Sequence, residues 1–268
     1  MGILNVTPDS FADGGLRFDA DRAVDDGLRM IEEGADILDV GGESTRPGAD
    51  PLDEAEELRR VLPVVERLAA KGRAPVSVDT YKARVAREAV ARGAAIINDI
   101  SALQYDADLG AAVAATGAAL VLMHNRGRSR EMYREASYKD VPGEIAAELD
   151  AGIARALAAG VARDAIILDP GLGFAKRAEH SYEALAHLPR LAALDRPILS
   201  GPSRKSFLKL AIGDAAPAGR EWGTAAAVAA SVLLGAHIVR VHGVKEMVDV
   251  VRVADRVAAA WRASAPRN

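Results

Sequence analysis

Short apolar runs alternate with amphipathic segments along the whole chain. Runs of this length, bounded by turn residues, predict buried β-strands. The segments between them carry apolar residues at three- and four-residue spacing, which is typical of helices with one buried face. Eight strands are predicted in this way, at residues 2–6, 36–40, 75–80, 95–100, 118–124, 165–169, 197–201 and 237–242.

Regular alternation of strand and helix predicts a parallel sheet. Eight strand–helix units without a linker or a composition shift favour a closed (β/α)₈ TIM barrel, formed by residues 1–268 as a single domain. An open doubly wound sheet is the alternative, although its G-x-G-x-x-G fingerprint is absent after the first strand. Five glycines stand where helices are expected to end: Gly34, Gly93, Gly117, Gly160 and Gly235.

The composition narrows the possible chemistry. The 268-residue chain has no cysteine, which excludes disulfides and thiolate sites, so any metal must take oxygen or imidazole ligands. A net charge of −4 and an aromatic content of 4% disfavour a nucleic-acid surface. The N-terminus lacks a basic segment followed by an apolar stretch, and no run reads as a membrane span. We therefore expect a cytoplasmic protein that binds neither nucleic acid nor membrane.

Polar residues collect where the predicted strands end. In a barrel of this kind the active site lies at the carboxyl ends of the strands. A single aspartate at such an end is often a turn or helix cap, but ends that converge on one mouth indicate a site. The residues concerned are Asn5, Asp39, Asp79, Asn98, Asp99, His124, Asp169, Arg240 and His242.

Three loops add to this picture. Residues 7–15 and 41–48 are glycine-rich and have the composition of mobile lids, although their glycines could equally serve turns. Residues 201–205 carry Ser203, Arg204 and Lys205 at a predicted helix start, where an anion is favoured. The polar, arginine-rich segment 125–142 is expected to be a solvated surface loop.

The strand-end residues suggest two kinds of ligand group. Arg240 and His242 are two residues apart on one strand face, in the region where this fold binds phosphate, which favours an anionic substrate. Asp79 and Asp169, with Asn98, suit a ligand rich in N–H donors, and Lys205 could donate to a ring carbonyl or nitrogen. A carboxylate pair for glycoside cleavage remains open as an alternative.

Seven blocks of sequence, in order, resemble the dihydropteroate synthase family over nearly the whole chain. They are Met1 to Phe11 (MGILNVTPDSF), Asp39 to Gly48 (DVGGESTRPG), Ser77 to Thr80 (SVDT), Ile97 to Asp99 (IND), Leu168 to Phe174 (LDPGLGF), Ser203 to Lys205 (SRK) and Arg240 to His242 (RVH). The resemblance implies condensation of 6-hydroxymethyl-7,8-dihydropterin diphosphate with 4-aminobenzoate, with Mg²⁺ present, by a homodimer. The reaction it suggests is dissociative: pyrophosphate leaves before the amine attacks.

The resemblance also implies a role for each matching residue. The expected pterin-binding residues are Asp79, Asn98, Asp169 and Lys205. The expected diphosphate-binding residues are Arg46, Arg240 and His242, with Thr45 at a further substrate contact and Asn5 as the magnesium ligand. The expected aminobenzoate-binding residues are Ser203, Pro47 and Phe174. Asp13 matches a position that helps to stabilise the pterin cation, and the catalytic set is Arg46, Lys205, Arg240, His242 and Asp13.

Two departures and two rival readings accompany the resemblance. The chain starts at the first predicted strand, without the short segment that usually precedes it, and Gly243 stands where an aspartate is common. A methyltetrahydrofolate:corrinoid methyltransferase would share the barrel and the carboxylates but would have no use for a diphosphate site. A non-catalytic pterin-binding paralogue would be expected to lose the loop residues that this chain retains.

Overall fold

The computed structural model describes residues 1–6, 16–44, 49–128, 133–134 and 136–264. The strands are β1 (Gly2–Asn5), β2 (Leu38–Gly41), β3 (Val76–Asp79), β4 (Ile96–Asp99), β5 (Ala119–Met123), β6 (Ile166–Asp169), β7 (Leu199–Ser200) and β8 (Ile238–Val239). The helices are α1 (Leu16–Glu32), α2 (Glu54–Lys71), α3 (Ala83–Ala91), α4 (Leu109–Thr116), α5 (Val141–Ala158), α6 (Ala178–Ala186), α7 (Lys209–Ile212), α8 (Glu221–Leu233) and α9 (Val244–Ser264).

The strands form a closed parallel barrel. β1 to β6 pair in sequence order, and β7 pairs with β8. Bridges between Leu168 and Ile198 and between Gly2 and Val241 join these two groups at both edges. At the second junction the Ile3 amide donates to the Val241 carbonyl over 2.9 Å. The predicted (β/α)₈ TIM barrel is confirmed, and the open doubly wound alternative is wrong.

Alternate residues of each strand face opposite sides of the barrel wall. Outward-facing residues such as Leu38, Val40, Val76 and Val78 pack into the main core beneath the helices. A second, smaller core fills the barrel at the amino ends of the strands. This lower layer comprises Met1, Ile37, Ile96, Ala119, Val121, Ile167, Leu199 and Ile238.

Two residues further along the same strands, the inward positions become polar. Ile37 is followed by Asp39, Ile96 by Asn98, Ile167 by Asp169, and Ile238 by Arg240. We call Asp39, Asp79, Asn98, Asp169 and Arg240 the upper layer. Because a two-residue step keeps the side chain on the same face of the strand, both layers lie inside the barrel.

Local signals set the helix ends that the sequence predicts. The Asp53 carboxylate caps α2 by accepting from the Ala55 amide over 2.9 Å, and Gly72 ends the helix with φ +59°. Gly117 likewise ends α4 with φ +70°, as expected for a residue without a Cβ. None of the helices in the described part of the chain is both long and apolar enough to cross a membrane.

The expectation of a solvated loop at residues 125–142 holds for only part of the described segment: Gly127, Arg128 and Lys139 are exposed, whereas other residues are packed. Asn125 and Ala136 are buried, and the Tyr138 hydroxyl donates to the Ala175 carbonyl over 2.9 Å. The Arg126 guanidinium lies 4.0 Å from the Tyr138 ring centroid. The Arg126 side chain therefore packs against this segment instead of extending into solvent.

Candidate active site

Arg240 joins three strands of the upper layer. It follows β8, where its Nε donates to Asp39 Oδ2 over 2.6 Å and its Nη2 donates to Asp79 Oδ2 over 2.8 Å. Asn98 Nδ2 also donates to Asp39 Oδ2, over 3.1 Å. One guanidinium thus links the ends of β2 and β3, and Asp39 links it to β4.

Burial dominates the electrostatics of this cluster. It raises the pKa of Asp79 to about 7, even though Arg240 favours the carboxylate. Burial also opposes the charged form of Arg240, but Asp39 and Asp79 outweigh it and raise the Arg240 pKa. Arg240 therefore remains charged, with Asp39 and Asp79 as its ion-pair partners.

Asp169 and Lys205 lie in the same cluster without sharing a short ion pair in the structure as described. Asp169 Oδ1 accepts from the Gly171 amide over 2.7 Å, and Lys205 Nζ lies 3.7 Å from the Phe174 ring centroid. Burial lowers the pKa of Lys205 to about 7, with Arg240 acting in the same direction. Burial likewise raises the Asp169 pKa, against the Gly171 hydrogen bond and Lys205. A polar ligand that hydrogen-bonds to Asp169 and Lys205 would therefore stabilise their charged forms, because it would replace the hydration lost on burial.

Ser203 and His242 meet across β7 and β8. Ser203 Oγ lies 2.9 Å from His242 Nδ1 and accepts from the His242 amide over 3.2 Å. A hydroxyl oxygen can accept two hydrogen bonds and donate one, so Ser203 can bond both the amide and the ring of His242. The structure thus brings together one residue expected at the aminobenzoate and one expected at the diphosphate.

A helical segment begins directly after residues 201–205, as the sequence predicts, but it is short. It consists of a 3-10 turn at Ser206–Leu208 and the four-residue α7, which is too short for a substantial helix dipole. Arg204 has φ +57°, and its Nε forms an ion pair with Glu221. This pairing favours a structural role for Arg204.

Asn5 ends β1 beside the upper layer. A Cβ built on Gly41 would lie 3.8 Å from both Asn5 Oδ1 and Asp79 Oδ2, so both side-chain oxygens lie close to this one backbone position. Within the described ranges, no group of three His, Cys, Asp or Glu side chains could hold a metal ion. The side-chain oxygens of Asn5 and Asp79 fit Mg²⁺, because this ion keeps several waters and takes few protein oxygens together with substrate phosphates.

Four predicted site residues lie outside the described part of the chain: Asp13, Thr45, Arg46 and Pro47. Asp39 was expected at the barrel mouth but was given no ligand, although it stands two residues beyond Ile37 on the inward face. One other residue was missed as a functional candidate. Lys176 lies in the loop after β6 and is 1% exposed, and analysis of the strand ends alone gave no reason to consider it.

Comparison with known proteins relates this barrel to others. Residues 1–242 match the family described as pterin binding enzyme. Dihydropteroate synthase of Mycobacterium leprae is 48% identical, with 100% of this chain and 94% of the relative aligned. The chain belongs to the dihydropteroate synthase family of pterin-binding enzymes. The family member of Escherichia coli is 45% identical over 95% of this chain and 90% of its own length.

Solved structures of family members agree in fold. Xanthomonas albilineans dihydropteroate synthase with 4-aminobenzoic acid has a TM-score of 0.90 and 44% identity, covering 99% of this chain and 93% of that one. The Yersinia pestis enzyme in a sulfonamide drug complex has a TM-score of 0.91 and 43% identity, covering 97% and 94%. The barrel and its order of elements are therefore those of the family.

Proposed function

We propose that this chain is a dihydropteroate synthase, a transferase of folate biosynthesis. It condenses 6-hydroxymethyl-7,8-dihydropterin diphosphate with 4-aminobenzoate to give 7,8-dihydropteroate and pyrophosphate. The observation that carries the proposal is the upper layer. In a chain that aligns with a dihydropteroate synthase over 100% of its length, carboxylates, an amide and two cations converge in one barrel mouth.

The pterin is proposed to bind on Asp79, Asn98, Asp169 and Lys205. Its aminopyrimidinone edge carries adjacent N–H donors, which suit carboxylate acceptors. Asn98 directs its Nδ2 to Asp39, so its amide oxygen is left as a further acceptor. Lys205 supplies the complementary donor to the ring carbonyl.

The diphosphate is proposed to bind Arg240 and His242, with Arg46 and Thr45 from the loop after β2. Arg240 already pairs with Asp39 and Asp79, so the diphosphate must compete with these carboxylates for the guanidinium. Asn5 would hold Mg²⁺ at the mouth. When bound, the metal ion would offset negative charge on the departing pyrophosphate.

The aminobenzoate is proposed to place its carboxylate at Ser203 and its ring between Phe174 and Pro47. In the reaction, the bond between the exocyclic methylene carbon and the diphosphate oxygen breaks, and pyrophosphate keeps the electron pair. The amine nitrogen then bonds to that carbon and loses a proton. The protein contributes orientation and charge stabilisation, and Asp13 is proposed to help stabilise the cation.

We further propose that the chain forms a homodimer through α8 and α9. Trp222 on α8 is 88% exposed, and Val253, Val257 and Trp261 form an exposed apolar row at four-residue spacing on α9. Four-residue spacing places these side chains on one helix face. Sedimentation equilibrium should give twice the chain mass, and a monomer at micromolar concentration would contradict this assignment.

The activity is tested by measuring pyrophosphate release with both substrates and Mg²⁺. Release should require all three, and Lys205→Ala and Arg240→Ala should each reduce it at least about 100-fold, the range expected when a charge-stabilising donor is lost. Unchanged release in both variants would refute the site assignment.

The same assay separates the rival functions. Pterin binding without pyrophosphate release would favour a non-catalytic paralogue. Methyl transfer from methyltetrahydrofolate to a corrinoid would favour the methyltransferase.

A further inference from the structure

A buried lysine lies behind the proposed site. Lys176 Nζ contacts His124 Nδ1 over 2.7 Å, the Phe174 carbonyl over 3.1 Å and the His124 carbonyl over 3.4 Å. An ammonium has three N–H donors and no acceptor. Burial lowers the pKa of Lys176 to about 7. In the protonated form the three contacts use its full donor capacity, and two of them reach a different strand end from its own.

His124 extends this hydrogen-bond chain to α5. Its Nε2 lies 3.1 Å from Glu148 Oε2 on α5, and Glu148 also accepts from Arg126 Nε over 3.0 Å. If Nδ1 accepts from Lys176, then Nε2 carries the proton and donates to the carboxylate. Burial, assisted by Lys176, lowers the His124 pKa to about 4, which agrees with a neutral ring.

The backbone around His124 is bound to the loop after β6 as well. The His124 amide donates to the Asp169 carbonyl over 2.9 Å. A Cβ built on Gly171, where φ is +67°, would lie 2.0 Å from the His124 carbonyl oxygen. Only glycine permits this approach. Lys176 therefore acts where the loop and the end of β5 are already in close contact.

The loop after β6 carries Phe174, which faces Lys205 of the loop after β7. The Phe174 carbonyl accepts from Lys176, while the Phe174 ring faces Lys205 Nζ at 3.7 Å. We propose that Lys176 is a positioning residue for the transfer reaction: its ammonium fastens the loop after β6 to the end of β5 and thereby places the Phe174 ring against Lys205. This inference rests on the proposed function.

The arrangement predicts which substrate is affected. Lys176 donates directly to the Phe174 backbone but makes no hydrogen bond to Asp169, whose carboxylate it influences only through its charge. Loss of the ammonium should therefore disturb the proposed aminobenzoate surface more than the pterin floor. Loss of a hydrogen bond to a charged group typically weakens an affinity that depends on it about tenfold or more.

The test compares Lys176→Met with Lys71→Met, a control on the exposed end of α2. In Lys176→Met the KM for 4-aminobenzoate should rise about tenfold, whereas the dissociation constant of the pterin diphosphate should change less than about threefold. Lys71→Met should match the parent protein in both. Equal changes for the two substrates, or none, would overturn the proposal.

Substitutions at His124 keep the test decisive if Lys176→Met folds poorly. His124→Asn retains an acceptor near the Nδ1 position, whereas His124→Leu, of similar shape, does not. The asparagine variant should stay within about threefold of the parent, and the leucine variant should resemble Lys176→Met. If Lys176 acts through His124, the double variant with methionine and leucine should be no worse than either single variant.

A readout independent of activity separates this inference from the proposed function. The chain has four phenylalanines, so ¹⁹F resonances of fluorophenylalanine-labelled protein can be assigned with Phe174→Leu. The Phe174 resonance should shift in Lys176→Met and His124→Leu but not in Lys71→Met. An unmoved resonance would overturn the inference, even in an active enzyme. If the Phe174 resonance shifts in the variants as expected but the parent protein has no activity, only the proposed function is contradicted.

Discussion

The lower and upper layers of the barrel interior lie two residues apart on the same strands but have opposite chemistry. In the lower layer, Ile96 and Val121 bury apolar surface, each worth about 1.5–3 kcal/mol. In the upper layer, Asp39 is 0% exposed, and its Oδ1 has no hydrogen-bond partner among the described residues. Stability therefore resides in the first layer, and the second retains polar capacity for a ligand.

The largest expected effect is a loss of folding stability on substitution in the lower layer. Ile96→Ala removes a buried side chain from the barrel interior and should lower the free energy of unfolding by about 2–5 kcal/mol, as cavity-forming substitutions do. Chemical denaturation measures this change. The KM values for both substrates should remain within about twofold, because Ile96 lies below the site.

Asn98→Ala is the matched control on the same strand, two residues further along. It removes one hydrogen bond to Asp39 and a proposed pterin contact. The loss in stability should be about 0.5–1.5 kcal/mol, whereas pterin affinity should fall clearly. If Ile96→Ala impaired affinity as strongly as Asn98→Ala, the two layers would not be functionally distinct.

A smaller effect is expected from pH, through Asp79 and Lys205. Burial moves the pKa of both groups to about 7 from opposite sides. Below this pH Asp79 gains a proton and loses an acceptor, and above it Lys205 loses a proton and a donor. Binding of a pterin analogue, measured by calorimetry, should be tightest near pH 7 and several-fold weaker about one and a half units away.

Two variants assign the limbs of this profile. Asp79→Asn should remove the acidic limb, and Lys205→Met should remove the basic one. The free energy of unfolding also depends on pH through Asp79. Because the pKa of Asp79 is raised in the folded state, its contribution to stability is fully present below its unfolded-state pKa and is lost as pH rises toward 7. A flat binding profile in the parent protein would show that these groups do not titrate at the ligand.

The sequence predicts the upper layer better than its internal contacts. Strand positions follow from apolar runs, so Asp79, Asn98, Asp169 and Arg240 could be assigned to one mouth by topology. The pairing of Arg240 with Asp39 depends on how far a side chain reaches across the barrel, which periodicity does not encode. The helix start after β7 was predicted from its polar residues, but the shortness of the helical segment was not. The pairing of Arg204 with Glu221 likewise depends on tertiary contacts.

The central claim is that the upper layer is a single pterin site. A crystal structure of the chain with 6-hydroxymethyl-7,8-dihydropterin diphosphate tests it most directly. The account predicts the pterin edge within hydrogen-bond distance of Asp79, Asn98 and Asp169, and the diphosphate in contact with Arg240. A pterin bound elsewhere, with Arg240 still paired to Asp39 and Asp79, would contradict it.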